Sequence, residues 1–246
     1  MNVIGVIPAR WASTRLPGKS LVDLCGRPMV QWVVERAMEV ESLSQVVVAT
    51  DDERIKDAVE SFGGTAVMTR EDHPSGTDRI AEAACGFDAD LVVNIQGDEP
   101  LLNPQMVDDL IAIMLGDDSW DMGTAATPIL NDEDLNDPSV VKVVWAEDHR
   151  ALYFSRSIIP FVRDDDMRGN VTHWRHLGIY VYRYDFLKRM VSAAPCILEQ
   201  AEKLEQLRSL HLGAKMVVME TDDTGIGVDT PEDVVRAESL LRADNG

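Results

Sequence analysis

This chain has no long apolar run. Its apolar stretches are short and interrupted, well below the ~20 residues a membrane-spanning helix needs. The opening residues, MNVIGVIPAR, lack a basic segment followed by a long apolar one, so no secretory leader is expected. Cysteine is scarce. Cys25, Cys85 and Cys196 are odd in number and scattered. They form neither a disulfide framework nor a metal spacing, which fits a reducing compartment. Internal repeats and low-complexity linkers are also missing. So is any excess of positive charge: 23 Lys and Arg stand against 43 Asp and Glu, for a formal net charge of −20. Such a chain repels nucleic acid and anionic lipid. A cytoplasmic protein with neither nucleic acid nor membrane as a partner is the expectation.

Two familiar phosphate motifs are absent as well. Gly18, Lys19 and Ser20 look like the end of a P-loop, but that motif needs glycine at position 13, where Ser13 stands. Pro17 also stiffens a turn that a P-loop keeps glycine-rich. No G-x-G-x-x-G follows the first apolar run, and the pair Gly225 and Gly227 lacks a third glycine. A Walker-type ATPase and a dinucleotide-binding protein are excluded.

What is present alternates between two periodicities. Val3–Pro8, Gln45–Thr50, Thr65–Met68 and Leu91–Ile95 read as buried parallel strands. Residues 28–40, 52–62, 77–84 and 105–115 read as helices between and after them. Pro28 suits a first helical position, and Gly63 with Gly64 stops the second helix. The βαβ rhythm predicts an α/β fold with a mostly parallel sheet flanked by helices. The second half is less regular. Strands are expected at 122–128, 140–145, 151–155, 176–182 and 215–220, a loop-rich stretch at 156–175, and helices at 187–193, 198–212 and 231–242. Thr230 is the expected cap of the last helix. The simplest organisation is one domain spanning 1–246, with a regular βα half to about residue 120 and a strand-rich half from about 121.

Against the acidic background, the loop from Arg10 to Lys19 needs a reason. It leaves the first strand directly, and ligands of open α/β sheets bind outside the carboxyl ends of strands. Backbone N–H groups with Arg10, Arg15 and Lys19 offer polyphosphate both directional donors and neutralising charge. A solvated basic loop is the plainer alternative. Asp98 follows the fourth strand beside Gly97, and Asp229 precedes the last helix. Two aspartates at such positions suit Mg²⁺, which takes a few carboxylates plus phosphate oxygens. Solvated surface acids are again the plainer reading. Three consecutive acids, Asp164 to Asp166, point in different directions and read as a solvated loop.

Ordered motifs then carry a resemblance: IPARWASTRLPGK at 7–19, ATDD at 49–52, PSGTDR at 74–79, NIQGDEP at 94–100, ALYFSR at 151–156, RHLGIY at 175–180, KLEQLR at 203–208 and GVDTP at 227–231. Over nearly its whole length the chain resembles the 3-deoxy-manno-octulosonate cytidylyltransferases. The resemblance implies a Rossmann-like fold of the nucleotide-diphospho-sugar transferase type and a homodimer joined through the strand-rich half. It also implies CMP transfer from CTP to an octulosonic acid for lipopolysaccharide synthesis. By the same resemblance, Ala9, Arg10, Arg15 and Lys19 bind the triphosphate, and Ser75, Gly76 and Arg79 lie near cytosine and ribose. Gln96, His176, Tyr180, Glu205 and Gln206 line the sugar pocket, and Asp98 and Asp229 hold Mg²⁺. Arg10, Lys19 and Asp98 are the expected catalytic residues. Trp11 and Ser20 depart from the family's usual tyrosine and proline. The 8-amino-3,8-dideoxy sugar is an open alternative substrate. Other CMP acceptors and a non-catalytic nucleotide-binding protein on the same fold are the rival readings. His176 admits three readings: general base, substrate contact, the favoured one, or a satisfied polar residue in a sheet.

Overall fold

The computed structural model describes residues 1–12 and 16–244. Two compact units emerge, one formed by residues 1–111 with 225–246 and the other by residues 112–224. The division expected near residue 120 falls at 111–112, and the last segment returns to the first unit.

In the first unit, β1 (Val3–Ala9) is buried along nearly its whole length, as its apolar run demands. A small hairpin of β2 (Asp23–Leu24) and β3 (Arg27–Pro28) follows; the sequence reading had no counterpart for it. Pro28 is the cap of α1 (Met29–Met38), in extended backbone at ψ 143°, not its first helical residue. The helix buries Met29, Val30, Val33, Val34 and Ala37, the face its spacing predicted.

Next come β4 (Gln45–Thr50) and α2 (Glu53–Ser61). Asp52 caps α2 by accepting the Arg54 amide at 2.9 Å, so the helix starts one residue later than expected. The stop at Gly63 is confirmed: φ is +86°, and the Gly64 amide donates back to the Val59 carbonyl, as a left-handed helix end requires. Then follow β5 (Ala66–Met68), α3 (Gly76–Ala84), β6 (Leu91–Asn94) and α4 (Pro104–Gly116). Within this unit the strands pair in parallel in the order β6-β1-β4-β5. The chain order therefore reverses between β1 and β6, which makes the crevice at their carboxyl ends the expected ligand position.

The second unit is built mainly from antiparallel pairs. It contains β7 (Met122–Pro128), α5 (Asp132–Asn136), β8 (Lys142–Trp145), β9 (Ala151–Ser155), β10 (Trp174–Arg183), α6 (Tyr184–Ser192), α7 (Ile197–Glu202), α8 (Gln206–His211) and β11 (Met216–Glu220). β10 runs antiparallel to β7 and β8, and β8 antiparallel to β9, while β11 joins β7 in parallel. The single helix expected over 198–212 is broken. Lys203 adopts φ +55° and ends α7, and Glu205 precedes α8 as its cap. The apolar periodicity bridges the break because Leu204 and Leu207 are both buried.

The chain ends in the first unit with α9 (Pro231–Asp244). Thr230 caps it as expected, its Oγ1 accepting the Asp233 amide. Leu24, Met29, Val228, Ala237 and Leu241 form a buried cluster that fastens this helix to the hairpin and α1.

Candidate active site

The first unit holds a cavity of about 360 Å³ at the carboxyl ends of β1 and β6. It is lined by Pro8, Arg10, Lys19, Ser20, residues 73–76, Arg79, residues 96–98 and Asp229. Its floor needs Gly97. A side chain there would put its Cβ 2.8 Å from the Pro8 carbonyl oxygen, and no real Cβ approaches backbone so closely. Glycine here lets the two backbones meet.

Asp98 and Asp229 are 131 positions apart in sequence, yet the backbone ties them together. The Val228 amide donates to the Asp98 carbonyl at 2.9 Å. The Lys19 ammonium donates to both carboxylates, at 2.5 Å to Asp98 Oδ2 and 2.6 Å to Asp229 Oδ1. All three side chains keep some contact with solvent, at 14, 29 and 36 % exposure respectively. Asp233 fixes the backbone on the Asp229 side by accepting the Asp229 amide, the Thr230 amide and the Thr230 hydroxyl. Burial alone would raise its pKa, but these hydrogen bonds leave it below the usual carboxylate range.

Among the described residues no group of three or more His, Cys, Asp or Glu is placed to hold a metal. The Asp98–Asp229 pair is a different donor set. Two carboxylates converging on one cation suit Mg²⁺, which completes its shell with phosphate oxygens and water.

The cations in the other cavity walls differ in exposure. Arg10 is exposed at the end of β1. Arg79 is only 3 % exposed, and its guanidinium is held by Asp51 Oδ2 at 2.6 Å and Thr69 Oγ1 at 2.5 Å. Ser75 and Gly76 open α3, whose N-terminal end carries partial positive charge. The Ser75 hydroxyl is engaged as the cap, donating to Asp78 Oδ2 at 2.6 Å. Ala9 is buried at the end of β1 and is absent from the lining. Arg15, expected in the same loop, lies outside the described residues. Trp11, flanking it, lies under the Arg54 guanidinium, 3.4 Å from the ring centroid. It also packs so tightly on Gly18 that an added Cβ would lie 3.0 Å from the indole.

Sequence reasoning assigned no role to Asp51, Thr69 or His73. Asp51 had a usable signal, since it follows β4 at the same strand end that singled out Asp98. The His73 side chain is buried, pairs through Nε2 with Glu82, and contributes to the cavity wall.

A second group of expected site residues lies in the second unit. His176 Nε2 meets Thr124 Oγ1 at 2.9 Å, and that hydroxyl donates to the Ile179 carbonyl at 2.7 Å. The threonine thus receives the Nε2 proton, which leaves Nδ1 as the acceptor. The ring stands edge-on to Phe154 and 5.4 Å from the Tyr180 ring. Burial, aided by the Arg175 charge, pushes the His176 pKa down to about 3. A neutral imidazole with so low an affinity for protons is a poor general base, which leaves substrate contact and a satisfied polar residue in the sheet as the two readings. Burial raises the Tyr180 hydroxyl well above its usual value, with Tyr182 and the Glu205 carboxylate adding to the shift. Tyr180 and Tyr182 share a face, their rings 5.7 Å apart, as the period of two along a strand dictates. Gln206 is buried at the start of α8. Gln96 belongs instead to the first unit's cavity. No helix among the described residues is long and apolar enough to cross a membrane.

Comparison with known proteins gives this geometry its chemical context. A family model described as cytidylyltransferase matches residues 4–217. A 3-deoxy-manno-octulosonate cytidylyltransferase from Pelobacter propionicus is 49 % identical over 251 residues, covering 99 % of this chain and 98 % of that protein. A solved CMP:2-keto-3-deoxy-manno-octonic acid synthetase complexed with CTP superposes with a TM-score of 0.95 at 43 % identity, covering 99 % of this chain and all of the other. A 4-diphosphocytidyl-2C-methyl-D-erythritol synthase from Anaerococcus prevotii shares the fold alone, at TM-score 0.65 and 14 % identity over 98 % of this chain and 99 % of the other. The chain belongs to the 3-deoxy-manno-octulosonate cytidylyltransferase family of the cytidylyltransferases.

Proposed function

We propose that this protein transfers CMP from CTP to the anomeric hydroxyl of 3-deoxy-D-manno-octulosonate, releasing pyrophosphate and activating the sugar for lipopolysaccharide synthesis. The convergence of Lys19, Asp98 and Asp229 at the sheet's switch point carries the reading. It joins an ammonium and a metal-competent carboxylate pair where a triphosphate has room and cationic walls. The sugar oxygen attacks the α-phosphorus in line. The new O–P bond forms as the bond to pyrophosphate breaks, and the hydroxyl proton is released. Arg10, Arg15 and Lys19 hold the triphosphate and spread its charge. Arg79, locked by Asp51, shapes the nucleoside end of the cavity. Mg²⁺, held by Asp98 and Asp229, would supply further charge neutralisation on the phosphates. Positioning and electrostatics carry the step without a dedicated base; the low proton affinity of His176 supports this. His176 Nδ1, Tyr180, Glu205 and Gln206 are assigned to the sugar.

The working form in this reading is a cytoplasmic homodimer. A groove in the second unit supports the dimer. It is lined by Ile158 and Trp174 and includes Leu130 and Phe161, which are 89 and 82 % exposed; apolar exposure of this kind marks contact surfaces.

Pyrophosphate release with CTP tests the proposal directly. The octulosonate is the expected acceptor, compared with its 8-amino-3,8-dideoxy analogue, a sialic acid and methylerythritol phosphate. Faster release with any of the other three refutes the acceptor assignment. CTP binding without pyrophosphate release on any acceptor leaves the non-catalytic reading.

A further inference from the structure

Lys19 has been assigned to the triphosphate, yet its ammonium is engaged by two carboxylates. It sits between the two carboxylates assigned to Mg²⁺, within 2.6 Å of an oxygen of each. Two carboxylates held this close repel each other unless a cation separates them. The ammonium and a divalent ion therefore compete for one place. Lysine suits such a role, because it is a compact charge on a flexible stem and can leave without backbone movement. The partial exposure of all three side chains keeps that route open.

We infer that Lys19 is a placeholder cation that makes metal binding conditional on the nucleotide. Without a triphosphate the ammonium occupies the Asp98–Asp229 pair and keeps divalent ions out. An arriving triphosphate draws the ammonium to its own oxygens and frees the carboxylates for the metal. Nucleotide and metal affinities are thereby coupled, and the coupling is reciprocal. This inference rests on the proposed metal role of Asp98 and Asp229, and it adds an order of events to that role.

The test is Mn²⁺ binding to the intact protein without nucleotide, read from the loss of the free-ion EPR signal. The set comprises wild type, Lys19→Met, Lys19→Arg and the double variant Lys19→Met/Asp98→Asn. Far-ultraviolet circular dichroism and melting confirm that each is folded. Lys19→Met is expected to bind one Mn²⁺ about 5- to 150-fold more tightly than wild type, the usual span for coupled sites. Lys19→Arg, which keeps a cation at the pair, is expected to stay near wild type. The double variant is expected to lose the gained site.

Equal Mn²⁺ affinity in wild type and Lys19→Met, abolished in both by Asp98→Asn, overturns the placeholder role while leaving the metal site in place. A different failure removes both ideas. If no protein shows Mn²⁺ binding that depends on Asp98, even with a non-hydrolysable CTP analogue, the metal assignment itself is wrong.

Discussion

The two groups of site residues are held by opposite physics. In the first unit, Lys19, Asp98, Asp229 and Arg10 are charged and at least partly open to solvent, in or beside short connecting segments. Their pairings can be exchanged at small cost, because partly solvated ion pairs contribute little net stability. In the second unit, His176 is desolvated and neutral, and its ring orientation is fixed by Thr124 and Phe154. Rearranging that group would strand buried polar atoms. A site that must gather and release phosphate charge suits the first arrangement. A site that must tell one pattern of hydroxyls from another suits the second, since buried donors and acceptors reject mismatched ligands strongly.

Substitutions can break this contrast. Asp98→Asn should have the largest effect, lowering kcat by about 10²- to 10³-fold, the usual loss on removing a group that stabilises transition-state charge. CTP affinity, measured by calorimetry, should change much less. Wild-type-like turnover would remove Asp98 from the chemistry.

Acid titration probes the second unit. Native His176 stays neutral to about pH 3, whereas its unfolded form takes a proton near 6.5. Below 6.5 the unfolded state binds more protons, so this residue's share of stability falls as pH falls through that window. Denaturant titrations of wild type and His176→Gln should therefore diverge by up to about 1.4 kcal/mol per pH unit between 6.5 and 5, with wild type the more acid-sensitive. Parallel curves would mean that the imidazole is not desolvated. The same variant should weaken octulosonate binding by about 10-fold, the order expected for one lost buried hydrogen bond. The smallest effect concerns Ser75, whose hydroxyl caps α3. Ser75→Ala should lower stability by about 1 kcal/mol in chemical unfolding. An unchanged unfolding midpoint would return that hydroxyl to the nucleotide.

Much of the first unit was legible because its signals are local. Buried parallel strands read as β-branched runs, and the strand-end rule points to the cavity from the sequence alone. The partnership of Asp98 and Asp229 was only a possibility in the sequence, since it depends on a return of the chain 131 positions later. Asp51 escaped attention for a related reason: its meaning lies in Arg79, 28 residues on. The break at Lys203 was hidden because Leu204 and Leu207 continue the apolar period through a left-handed residue. The neutral state of His176 could not be read at all, because burial from several strands creates it. The ordered motifs covered what periodicity could not, naming a sugar group whose members lie on β10 and around α8.

The central claim is a division of labour, with charge handling in the first unit and hydroxyl recognition in the second. Separate equilibrium titrations of CTP and of the octulosonate into wild type, Lys19→Ala and His176→Gln test it most directly. Lys19→Ala should lose CTP affinity while keeping the sugar, and His176→Gln should show the reverse. Both variants losing both ligands to the same extent would contradict it.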